Sequence, residues 1–153
     1  MALLHSEPEA ALLEAGALSH RLAARYQQAA DQFAEHADSD DPPRSIKDLQ
    51  PLFSRYSESL TRQAEDLDDS ARSMDLLPRE PKTELETLKQ LADHIQTLLE
   101  DEKGAALAKR FVDEEESLLQ ELEQAAKLKP CPEAVTTSIT AARERVSELG
   151  GRC

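Results

Sequence analysis

Between Ile46 and Met74, apolar side chains recur at every third or fourth position: Ile46, Leu49, Phe53, Tyr56, Leu60, Ala64, Leu67, Ala71 and Met74. An α-helix turns once in about 3.6 residues, so this spacing places the whole set on one stripe. A strand would scatter the same residues over both of its faces. The stripe must be covered, and one helix cannot cover itself, so the rest of the chain has to supply partners.

It supplies them in the same pattern. Ala11, Ala15, Leu18, Leu22, Tyr26, Ala29 and Phe33 predict a helix over 7–37, which the Asp38–Pro43 cluster ends. Gly16, inside it, costs about 1 kcal/mol relative to Ala and suits a close helix contact. Ser45, with Asp48 three residues on, caps a helix over 45–76, and Pro51 is expected to bend its start. Thr83 and Glu86 cap a shorter helix over 83–100, faced by Leu85, Leu88, Ala92, Ile95 and Leu99. Leu107, Phe111, Leu118, Leu122 and Ala125 predict a helix over 104–128. Val135, Ile139, Ala142, Val146 and Leu149 predict the last, over 132–149, with Pro132 at its start and Gly150-Gly151 at its end. The links are tight. The expectation is a single all-α domain over 1–153: an antiparallel four-helix bundle with a short crossover helix.

Composition agrees. Aromatic residues make up 3% of the chain, Trp is absent and only 4 Gly are present, so Leu and Ala must build the core and few hairpin turns exist. The net charge of −13 repels phosphate, which argues against a nucleic-acid partner or an anionic membrane surface. No apolar run approaches the roughly 20 residues of a membrane span, and Met1–His5 does not read as a secretion signal, so the expected location is cytoplasmic. Cys131, between Pro130 and Pro132, and Cys153 have no CxxC partner and read as free thiols.

Catalytic motifs are absent: there is no HExxH, GxSxG or phosphate-binding glycine loop. Helical bundles hold two irons with carboxylates and Glu-x-x-His pairs, since positions i and i+3 share a helix face. His36, His20 and His94 are preceded at that spacing by Phe33, Ala17 and Leu91, and His5 has no helix before it. No catalytic or cofactor-binding residue is therefore expected, and no cofactor. One polar residue interrupts a stripe: Glu115, where an apolar side chain should follow Phe111. Flanked by Glu114 and Glu116, it reads first as part of a solvated face. The alternative turns it inward, toward Tyr26, Tyr56, Arg62 or Gln63, and makes it the sole candidate metal ligand. Phe53 and Tyr56 read as core, with a partner groove as the alternative, and Arg143 and Arg145 as surface ion-pair residues.

Three stretches carry a family likeness: Arg25-Tyr-Gln-Gln-Ala-Ala-Asp-Gln-Phe33, the Leu49–Leu67 helix, and Asp113–Leu119 followed by Lys-Pro-Cys-Pro and the Val135–Leu149 helix. Over Ala11–Leu149 the layout resembles small bacterial ferritin-like proteins, the stress-associated four-helix-bundle family of unknown function. The resemblance implies a ferritin-like bundle. It does not bring the metal-ligand histidines, and the last helix has no His, so iron chemistry is not implied.

Strong stripes without a chemical site point to a non-enzymatic bundle acting through protein–protein contacts or self-association. Two alternatives stand beside it: a ferritin-like metal-binding or oxidase protein with atypical carboxylate ligands around Glu115, and a small acidic chaperone or adaptor for a basic partner.

Overall fold

The computed structural model describes residues 6–37, 44–79, 89–90, 93 and 104–151, and among them there are helices and no strands. The described residues form four long helices: α1 (Glu7–Ala37), α2 (Arg44–Ser73), α3 (Gly104–Ala125) and α4 (Glu133–Gly150). Of the helix expected over 83–100, only Lys89, Gln90 and Asp93 are described, and they are helical; the rest lies outside the described residues.

Local chemistry sets the ends. α1 opens on a capping box: the Ser6 backbone N–H donates to Glu9 Oε1 (2.9 Å) and the Glu9 N–H donates to Ser6 Oγ (3.3 Å). α2 stops earlier than expected, at Ser73. There Asp75 takes φ 59°, its N–H donates to Arg72 O, and the Leu76 N–H reaches back to Ala71 O. This pair of bonds forms a Schellman turn, and it folds Leu76 back into the core beside Ala71. α3 likewise ends before 128, unwinding through short-range bonds from Lys127 N–H to Gln124 O and from Leu128 N–H to Ala125 O. Pro132 caps α4 from the position just before its first turn, and Gly151 follows its end at φ −68°, without a left-handed turn.

The helices form a ring. α1 packs on α2 and α3, α4 packs on α3, and α4 meets α2 along the thinnest seam. Position rises along α1 as it falls along α2: Ser19 meets Gln63, Ala23 meets Ser57 and Tyr26 meets Phe53. The α1/α2 contact is close because small residues line it. A Cβ on Gly16 would stand 2.8 Å from Asp68 Oδ1, and Ser57 Oγ donates to Ala23 O across the interface.

The chain's two Tyr and three Phe gather in one cluster. Tyr26 stacks on Phe111 at 4.5 Å and meets Phe53 and Tyr56 edge-on, while Phe53 touches both Phe33 and Phe111. Leu12, Leu60, Leu67, Leu107 and Leu118 extend this core along the bundle. A scarce aromatic supply thus bonds α1, α2 and α3 at one level, with edge and offset contacts adding about 0.5–1.5 kcal/mol each to the burial itself.

Candidate functional site: a buried charge network beside an open seam

Glu115 does not lie on a solvated face. It sits at the α3 stripe position between Phe111 and Leu118, and all three are sealed from solvent. Glu114 is half-buried and Glu116 exposed, as helical rotation requires of neighbours. Turned inward, a carboxylate must find donors or neutralise. Glu115 Oε1 accepts from Tyr26 Oη of α1 (2.9 Å) and from Arg145 Nε of α4 (2.8 Å).

Arg145 is the second correction. It is 4% exposed, not a surface residue, whereas Arg143 is exposed and faces Glu123 at 3.4 Å as expected. The Arg145 guanidinium continues inward: its Nη2 donates to Gln63 Oε1 of α2 (3.3 Å), Gln63 Nε2 donates to Ser19 Oγ (3.0 Å), and Ser19 donates to Ala15 O (2.8 Å). One polar chain therefore touches all four helices. Of the partners expected for Glu115, Tyr26 bonds it directly and Gln63 reaches it through Arg145. Tyr56 bonds Glu148 instead, and Arg62 is exposed.

Burial raises the pKa of Glu115, and this outweighs the opposing pull of the Arg145 charge and of the Arg145 and Tyr26 hydrogen bonds. Burial likewise raises Tyr26, helped by the adjacent carboxylate. Glu115 Oε2 and Arg145 Nη1 are buried without a hydrogen-bond partner.

A second network surrounds the first. Glu148 of α4 accepts from Tyr56 Oη and from Arg55 Nη2 of α2 (2.8 Å for Arg55). Burial and the Glu148 contact raise the Tyr56 phenol. On the far side, Arg25 of α1 pairs with Glu114, and burial lowers its pKa, with Arg21 and Arg110 adding to the effect. His20 Nε2 meets Asp68 Oδ2 at 2.7 Å.

The α2/α4 seam is hollow. One cavity of about 310 Å³ is bounded by Tyr56, Glu144, Arg145 and Glu148, and one of about 270 Å³ by Glu58, Arg62, Asp66 and Ser138. Arg55, Ser59 and Ala141 border both, so the two form one groove.

Among the described residues, no three His, Cys, Asp or Glu side chains are grouped to hold a metal, and Glu115 already serves two donors. The side chains of His5, His36 and His94, and Cys153, lie outside the described residues; Cys131 is a half-buried free thiol. No described helix is long and apolar enough to cross a membrane. Among the described residues, the exposed large apolar side chain is Leu77.

Comparison with protein-family models, with curated proteins and with solved structures returns no match.

Arg145 could have been found from the sequence by its register. The spacing Val135, Ser138, Ala142, Arg145, Leu149 is the buried set of α4, whereas Ile139 and Val146 are only half-buried on its shoulder.

Proposed function

We propose that the chain is a ferritin-like helical bundle that works without catalysis, through contacts with another protein or with itself. The fold half of this reading rests on the senses of the helix pairs. Tyr56 and Glu148, then Gln63 and Arg145, pair α2 with α4 as Ser19 and Gln63 pair α1 with α2. Glu14 near Glu121 and Tyr26 beside Phe111 relate α1 to α3 in the same way. Opposed senses around the ring give the order up, down, down, up. That order needs one long crossover between α2 and α3, and residues 74–103 are the longest link in the chain.

The functional half rests on one observation: the centre of the bundle is filled by the Tyr26–Glu115–Arg145–Gln63 network, in which Glu115 Oε1 is taken by Tyr26 and Arg145, and Arg145 also serves Gln63. A ferritin-like bundle would place metal there. Here the cation facing the carboxylate is a guanidinium, and among the described residues no further carboxylates converge on it, so these residues do not fit a two-metal centre.

Sedimentation and an affinity pull-down test the reading. A self-associated species or a stoichiometric partner supports it. A strict monomer that recovers no partner contradicts it. Stoichiometric iron, manganese or zinc in protein purified without chelator would contradict the non-metal half.

A further inference from the structure

The α2/α4 groove has a charge and a depth that specify a partner. Its cations are largely spent: Arg55 serves Glu148, and Arg145 serves Glu115 and Gln63. Glu58, Asp66 and Glu144 remain at its edges, exposed and without an ion pair among the described residues, against the free Arg62. The floor holds an independent signal. Ser138 is 3% exposed and borders the 270 Å³ cavity, and its hydroxyl makes no hydrogen bond among the described residues. The hydroxyl is open to this cavity rather than sealed in protein, so a donor that enters the cavity can reach it. Ser59, Ala134 and Ala141 keep the walls low enough for a long side chain to enter.

We propose that this groove docks a lysine-bearing segment of a basic protein partner. An ammonium group has three donors and no acceptor, which matches flanking carboxylates above a free hydroxyl. The four-carbon stem of lysine runs along small side chains without loss, as such stems do on apolar surface. The ammonium seat is the 270 Å³ hollow, which Glu58, Asp66 and Ser138 line, and the segment runs on along α4 past Glu144. The net charge of −13 draws a basic partner toward the protein from any direction, and the groove gives it an address. The inference rests on the protein-contact reading and narrows it to one face and one partner chemistry.

The test is titration of the full chain with a labelled oligolysine peptide at about 0.15 M salt. Saturable binding is expected. The variant Glu58→Gln/Asp66→Asn/Glu144→Gln should weaken it by about fivefold or more. A control with equal charge removed elsewhere, Asp31→Asn/Glu116→Gln/Glu123→Gln, should change it by less than about threefold. Ser138→Leu, which fills the floor, should weaken binding with the charge unchanged; Ser138→Ala should do so to a lesser degree while keeping the fold intact. Equal weakening by the two triple variants, or no saturable binding, overturns the groove assignment. The protein-contact reading would survive that result, because sedimentation and pull-down test it separately.

Discussion

Arg145 Nε donates to Glu115 Oε1 at 2.8 Å, joining α4 to α3 with both side chains buried. The pair is costly to bury and costly to break. Its desolvation offsets most of its attraction, but removing one member strands the other charge in the core. Glu115→Leu and Arg145→Met should each destabilise by about 3–5 kcal/mol, while the two together should recover most of that loss. Urea unfolding of the singles and the double checks this through the coupling energy. Additive effects would mean the pair is not formed.

Tyr26 and Tyr56 give a pH signature. Burial and a carboxylate neighbour raise both phenols above the usual 10.0, so the folded protein holds these protons where an unfolded chain has released them. The folded state then binds more protons, and stability must fall as pH rises above 10. Ultraviolet titration should show no phenolate near pH 10 in the native protein, with phenolate appearing together with unfolding. Tyr56→Phe should lessen the loss of stability.

Asp75 holds a left-handed backbone at φ 59°, a conformation that costs a side chain energy and glycine almost none. Asp75→Gly keeps the turn that seats Leu76 and should raise stability by about 0.5–1 kcal/mol. Thermal unfolding reads this directly, and a loss of stability would contradict the assigned turn.

Gly16 is a packing glycine. Ala there should gain about 1 kcal/mol of helix propensity, but its Cβ would stand 2.8 Å from the Asp68 Oδ1 atom, in a carboxylate held by His20. Gly16→Ala should therefore lower stability in the native chain and raise it once Asp68→Ala has cleared the space. The same sign in both backgrounds would mean α1 and α2 are not in close contact there.

The helices were legible because their stripes follow the helical period, and the buried face of α3 is the one its spacing names, Glu115 included. The direction of Glu115 is legible in register alone: three consecutive glutamates look solvated by composition, yet the stripe that runs through Phe111 and Leu118 turns the middle one inward. Arg145 was hidden for a related reason. Hydropathy favours Ile139 and Val146, yet a seam spaced alternately by three and four selects Ser138 and Arg145. The Ser6–Glu9 box is visible in the sequence as Ser-x-x-Glu. The ends of α2 and α3 depend on turn hydrogen bonds at Asp75 and Lys127, which no apolar pattern encodes.

The central claim is that a guanidinium, not a metal, answers the carboxylate at the centre of the bundle. Nitrogen-15 NMR of the Arg145 Nε–H group tests it most directly. The account predicts a slowly exchanging Nε–H resonance that is lost in Glu115→Ala and unmoved by added iron(II), manganese(II) or zinc(II). Rapid exchange in the native protein, or loss of the pair when stoichiometric metal is added, would contradict it.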